Sequence, residues 1–207
     1  MKISLKRNLE FLYEIGCLRF IPRSWKRFLN SDFQNLAEHH LRVTWIALVL
    51  AKMEGVRNTE KIMKIALVHD IAESRTGDVD YLQRQYVKRE EDMGIKDMLN
   101  GTLLEEEFLN LWDEYEKRLS VEAKVVKDAD SLDVDFELKE QEAKGNPIRK
   151  HWRKSRRYAV RERLYTKSAK KIWNLIQTSD PHSWHTSGRN RYNGGDWAKK
   201  KKITSQS

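Results

Sequence analysis

The 207-residue chain has one cysteine, three prolines and nine glycines, and each scarcity excludes something. A lone thiol, Cys17, forms no intrachain disulfide, so the chain is no disulfide scaffold and is expected in a reducing cytoplasm. Prolines only at Pro22, Pro147 and Pro181 leave long stretches free to be helical. Alternating apolar and polar runs of convincing length are missing, which removes a sheet-based reading. No apolar run approaches the roughly 20 residues that a membrane span needs. Glu10 and Glu14 interrupt what would be the apolar core of a signal peptide. The expectation is an all-α protein with no membrane association.

Charge is plentiful but unevenly divided. From Lys144 to the end there are 18 Lys and Arg against three acids, a net of +15, which leaves −6 on residues 1–143 out of the total of +9. An acidic body carrying a basic last third suggests an anionic partner, either a phosphate-bearing substrate or nucleic acid. The alternative is a basic helix face lying against acidic surface of the same or a neighbouring subunit. Trp152, Trp173, Trp184 and Trp197 among those cations could stack bases. Aromatics pinning an extension onto the body have the same composition, and that reading is preferred over nucleic acid. After Pro181 periodicity ends, so residues 1–178 are expected to form one domain and 179–207 a basic, Trp-containing extension.

The periodicity predicts a helix over 5–18 with Leu9, Leu12, Tyr13 and Gly16 on one face. A second runs over 37–53, with Leu41, Thr44, Trp45, Leu48 and Val49 inward and Gly55 as its stop. A third follows an N-cap at Asn58 or Thr59, and its stripe Ile62, Ile65, Ala66 carries His69 on the core side. Further helices are expected over 80–89, 102–118, 120–143 and 161–177, with a turn and a short basic segment over 145–157.

The chemistry concentrates where the third helix ends, in Val68-His69-Asp70-Ile71-Ala72-Glu73-Ser74-Arg75-Thr76-Gly77-Asp78. An imidazole next to a carboxylate offers two ligands from one rigid turn to Mn, Fe, Co, Ni or Zn. A helix-end pair bonded to its own backbone would look the same, so further ligands are required. Glu38-His39-His40 opens the second helix, and its two imidazoles point about 100° apart, so at most one faces inward. Lys127-Asp128-Ala129-Asp130-Ser131-Leu132-Asp133 lies along the stripe Val125, Ala129, Leu132, Phe136. Spacing does not choose between Asp130 and Asp133. Lys127 is expected to snorkel to solvent.

Glu-His before Leu-x-Val, His-Asp-x-x-Glu-x-x-Thr-Gly-Asp, and Lys-x-Ala-Asp-x-Leu together resemble the HD-domain metal-dependent phosphohydrolases. The resemblance is to their 5'-deoxynucleotidase branch, bacterial and eukaryotic, over roughly residues 8–145. It implies an HD-domain helical bundle holding one divalent ion (Mn, Co, Mg, Fe, Ni or Zn) on His39, His69, Asp70 and Asp130. It implies Glu73 beside the attacking water as acid or base, and Asp78 holding the substrate or the site. Arg23 and Trp25 in Arg23-Ser24-Trp25 stand where the family binds phosphate and senses the sugar. The implied activity is hydrolysis of nucleoside 5'-monophosphates, most of all deoxyribonucleotides, by a homodimer. Without function, Glu73 would pair with Arg75 or Lys64, Asp78 would cap the next helix, and Trp25 would be core. A guanosine-tetraphosphate hydrolase is expected to have Glu-Asp where Glu73-Ser74 stands. Cyclic-dinucleotide phosphodiesterases and dimetal oxygenases need further histidines, and none lies between His69 and His151.

Overall fold

A computed structural model describes residues 4–186, and every described element is helical apart from an isolated bridge between Pro22 and Asn35. The helices are α1 (Leu5–Gly16), α2 (Leu36–Glu54), α3 (Thr59–Val68), α4 (Glu73–Thr76), α5 (Glu91–Leu99), α6 (Glu105–Lys117), α7 (Val121–Ala143), α8 (Ile148–Arg163), α9 (Lys167–Thr178) and α10 (Ser183–Thr186). Short 3-10 turns occupy Cys17–Phe20, Ser24–Arg27 and Gln83–Gln85. Among the described residues no helix is long and apolar enough to cross a membrane. The Lys199–Lys202 run, Trp197 and most of the expected extension lie outside the described residues.

The core is the packing of α2 on α7 and α3, closed by α6 and α9. Leu36, Val43, Ala47 and Leu50 of α2 meet Ile62, Ile65 and Ala66 of α3 and Val125, Ala129 and Leu132 of α7, all without solvent exposure. Each large side chain so buried contributes roughly 1.5–3 kcal/mol. The ends of these helices are written locally. Asn35 and Glu38 form a reciprocal capping box at the start of α2, Asn58 caps α3, Ser120 caps α7, and Gly55 ends α2 at φ 73°.

Two expected faces are reversed. On α1 it is Phe11, with Ile15 beside it, that packs inward, while Leu9, Leu12 and Tyr13 are 52%, 65% and 72% exposed. On α2 Leu41, Trp45 and Val49 are 63%, 64% and 51% exposed, and the buried stripe runs through His39, His40, Val43, Ala47 and Leu50. Both helices carry two apolar stripes, and periodicity does not say which one meets the core. On α2 the small Ala47 and Ala51 let α3 and α7 approach, and the two imidazoles are buried by site chemistry rather than hydropathy.

The expected helix over 80–89 is absent. Asp80 accepts hydrogen bonds from the amides of Leu82 and Gln83 and so closes one 3-10 turn, while Arg89 is drawn back to Glu73 and the Gly77 carbonyl. The basic segment over 145–157 is instead the start of α8. Its own pattern is poor in apolar residues, but Arg149 pairs with Glu142, and Arg156 with Asp135 and the Ser131 carbonyl, so α7 supplies what periodicity lacks. The helix expected over 161–177 breaks at Leu164 to Thr166. There buried Asp128 accepts from Tyr165 N at 2.8 Å and from Thr166 N and Oγ1 at 2.8 and 2.7 Å, and Thr166 caps α9. For these cations the same-chain acidic surface is the reading that holds.

Candidate metal centre and its cleft

Three helices deliver four ligand atoms to one point. His39 sits in the first turn of α2 and its amide bonds the Asn35 carbonyl, so the capping box fixes its position. His69 is the C-cap of α3, and its Nδ1 lies 2.8 Å from the Ala66 carbonyl. That bond assigns the ring proton to Nδ1 and leaves Nε2 free as a donor of its lone pair. Asp70 follows at the start of the next turn, and Asp130 comes from the middle of α7.

The distances suit a single ion. His69 Nε2 is 3.2 Å from His39 Nε2 and 3.4 Å from Asp70 Oδ2, and His39 Nε2 is 3.5 Å from Asp70 Oδ2 and 3.4 Å from Asp130 Oδ1. All four ligand atoms lie within 4.8 Å of one another. Ligands at ~2.1 Å from a common centre are themselves roughly 3.0–4.2 Å apart, a range that contains the four separations of 3.2–3.5 Å. Two imidazoles and two carboxylates form an intermediate donor set that suits Mn, Fe, Co, Ni or Zn and leaves positions for water and a phosphoryl oxygen.

Electrostatics make the same demand. Burial works against a charged His39, yet hydrogen bonds to Asp130, Asp133 and Asp70 push its imidazole up to about 10. Three carboxylates converge on one buried ring and call for a cation. Burial holds His69 below the usual histidine value, as a neutral ligand requires. Asp70 and Asp130 are held low against the pull of burial, Asp70 by His69 and His39 and Asp130 by Lys127 and His39. Behind the ligands, Asp133 Oδ2 lies 2.7 Å from His39 Nδ1 and accepts from Gln34 Nε2 at 2.6 Å. Such a carboxylate fixes the tautomer and aim of a ligating histidine.

The two alternatives left open by spacing are thus resolved by position. His39 joins the cluster, whereas His40 is not among its ligand atoms. It is buried, its ring centroid 4.5 Å from that of His69, and burial holds it well below the usual histidine value. Asp130 reaches the cluster, and Asp133 stands one helical turn behind it.

Glu73 is buried 2.8 Å from Arg89 Nη1 and 3.6 Å from Arg23 Nη1, not paired with Arg75 or Lys64, which bind Glu14 and Glu60 instead. Burial, with Asp70 and Asp78 nearby, pushes its carboxyl well above the usual range. Asp78 caps no helix. It accepts hydrogen bonds from Ser24 N at 3.1 Å and Ser24 Oγ at 3.2 Å and lies 3.2 Å from Arg23 Nε. Gly77, at φ 75°, provides the turn that brings Asp78 back over the site. Arg23 is buried among Asp70, Glu73 and Asp78. Lys127, expected to snorkel, keeps part of its side chain in solvent but turns its Nζ to within 2.8 Å of Asp130 Oδ2.

These groups form the floor of a cleft of about 780 Å³, whose walls include Trp25, Tyr81, Arg118, Trp152 and Arg156. Trp25 is half-buried in that wall rather than in the core. Sequence reading missed Arg89, Tyr115, whose hydroxyl donates to Asp130 at 3.3 Å, and the α8 wall. Asp133 alone had a signal, its one-turn spacing from Asp130. The others are joined to the site only by tertiary contact.

The HD-domain family model matches residues 15–173. The 5'-deoxynucleotidase HDDC2 of Danio rerio is 33% identical over 150 residues, covering 68% of this chain and 73% of that protein. A 5'-deoxynucleotidase of Photorhabdus laumondii is 30% identical over 151 residues, covering 66% of this chain and 75% of its own. Among solved structures, a conserved hypothetical protein from Pyrococcus furiosus superposes with a TM-score of 0.67 at 27% identity, covering 82% of this chain and 98% of that one.

Proposed function

The chain belongs to the HD-domain family, and on that premise we propose that it is a 5'-deoxynucleotidase, a divalent-metal-dependent hydrolase that releases phosphate from deoxyribonucleoside 5'-monophosphates. The observation that carries the reading is the convergence of His39, His69, Asp70 and Asp130 within 4.8 Å, with Asp70 and Asp130 opening onto a cleft that also holds Arg23. A divalent ion on those four residues supplies Lewis acidity toward a phosphoryl oxygen and a more acidic water.

The remaining work falls to this chain's own groups. Arg23 offers its guanidinium fork to the phosphate, and Asp78, through Arg23 Nε and the Ser24 bonds, keeps that fork aimed. Glu73 is the proton-transfer group, because it is buried beside Asp70 and Arg23, and burial raises its carboxyl above the usual range, so that it takes up a proton more readily than a solvated carboxylate. Arg89 fixes its rotamer. Trp25 walls the cleft beside Arg23, where a ribose 2'-hydroxyl would meet its ring.

The test is phosphate release by the full chain from deoxyribo- and ribonucleoside 5'-monophosphates, after chelation and with Mn, Co or Mg restored. Metal-dependent release that favours the deoxy series is expected. Release unaffected by chelation, or none from any nucleotide, defeats the reading.

The protein is further read as a cytoplasmic homodimer. Leu41, Trp45 and Val49 recur every four residues on α2 and are left exposed, an apolar stripe of the kind that marks an interface. The single cysteine supports the compartment. Residues 1–178 are taken as the catalytic domain and 179–207 as its appendage.

A further inference from the structure

At the cleft mouth four aromatic rings from three parts of the chain are in contact. Trp152 of α8 meets Trp25 edge-on, with centroids 4.8 Å apart and planes at 65°, and Phe28 at 5.9 Å. Tyr81, from the loop after Asp78, lies 6.1 Å from Trp25 and 6.0 Å from Phe28. Trp25, Tyr81 and Trp152 line the cleft itself. An apolar surface of this size beside a charged floor is unlike singly scattered surface aromatics, which need no explanation.

The position of this wall relative to the floor is set by the chain. Arg23 and Trp25 are two residues apart, a reach of no more than ~7 Å. A phosphate on Arg23 therefore leaves Trp25, and Trp152 in contact with it, within reach of the rest of its ester. Trp152 is itself held firmly. Arg149, Trp152 and Arg156 share one face of α8, and the two arginines on either side of the ring are tied to Glu142 and Asp135 of α7.

We propose that Trp152, with Trp25 and Tyr81, forms a stacking platform for the nucleobase, so that α8 sets affinity for the nucleoside part of the substrate without choosing among bases. Base stacking on aromatic rings is tolerant of base identity because every base has a π-face. The proposal rests on the nucleotidase reading and adds to it a base-binding residue from outside the motif strings.

The experiment compares steady-state kinetics of the metal-loaded full chain on a deoxyribonucleoside 5'-monophosphate and on 2-deoxyribose 5-phosphate, which has the same phosphate and sugar but no base. The wild type is expected to show KM at least about tenfold lower for the nucleotide. Trp152→Ala is expected to close that gap by raising the nucleotide KM alone, with kcat changed by less than about twofold. Trp152→Phe keeps most of the gap. Trp152→Leu, which refills the apolar volume without a ring face, is expected to behave as Trp152→Ala and takes its place if that variant does not fold. Equal wild-type KM values for the two compounds, or a variant that moves both together, overturns the platform. Release from neither compound overturns the nucleotidase reading instead.

Discussion

At and beneath the floor of the cleft, Asp70 and Asp130 line the surface and His39 and His69 are buried behind them, and each is held by the end or the middle of a core helix. Across from them, Trp152 and Arg156 stand on α8, a helix mostly exposed, which is held by ion pairs to α7, by Val160 in the core and by the Trp152 contacts. The floor is a preorganised charge cluster in which removing one member leaves the others uncompensated. The wall is a surface that shapes what the floor can reach. The chemistry should thus be brittle to substitution and the selectivity adjustable.

The sharpest way to break that contrast is at the floor. Asp70→Ala is expected to lower phosphate release by more than ~100-fold, beyond what loss of an outer partner of a ligand costs, and calorimetric titration should show weakened Mn or Co binding. Full turnover in this variant would remove the cluster from the reaction. One step out, Asp133→Asn keeps the volume but can no longer hold His39 Nδ1–H as a carboxylate does, and ~10–100-fold weaker metal binding is expected. An unchanged affinity would mean that Asp133 serves packing alone.

A third substitution tests whether wall and floor are separable. Asp128→Ala removes the acceptor that binds Tyr165 N, Thr166 N and Thr166 Oγ1 at the corner between α8 and α9. It should cost ~1–3 kcal/mol in urea unfolding while metal affinity stays at the wild-type value. Smallest in its effect on the monomer, the double change Leu41→Glu with Trp45→Glu replaces exposed residues and should shift stability by only about 0.5 kcal/mol. Sedimentation should nonetheless report a change from dimer to monomer, and a wild-type chain already monomeric would end the dimer proposal.

Legibility from sequence divides along the same line. His69-Asp70 with Glu73 one turn on could be read because adjacent residues and helical spacing carry their own geometry. So could the caps Asn58 and Gly55, whose partners lie within a few residues. On α2 periodicity points Leu41, Trp45 and Val49 inward, whereas the helix is turned so that His39 enters the cluster and Val43, Ala47 and Leu50 meet the core. The loop over 80–89 was misjudged because Arg89 answers to Glu73, sixteen positions away.

By itself the sequence determined the helical class and set an imidazole beside a carboxylate at His69-Asp70, since backbone propensity, capping and residue adjacency are properties of short stretches. Tertiary structure alone decided that His39 rather than His40 and Asp130 rather than Asp133 enter the cluster, that Leu41 and Trp45 face outward, and that a basic segment becomes the helix carrying Trp152. Each of those outcomes depends on contacts between residues far apart in the chain. The 4.8 Å approach of Trp25 to Trp152 is one such contact. Their energies exist only once α2, α3, α7 and α8 have packed.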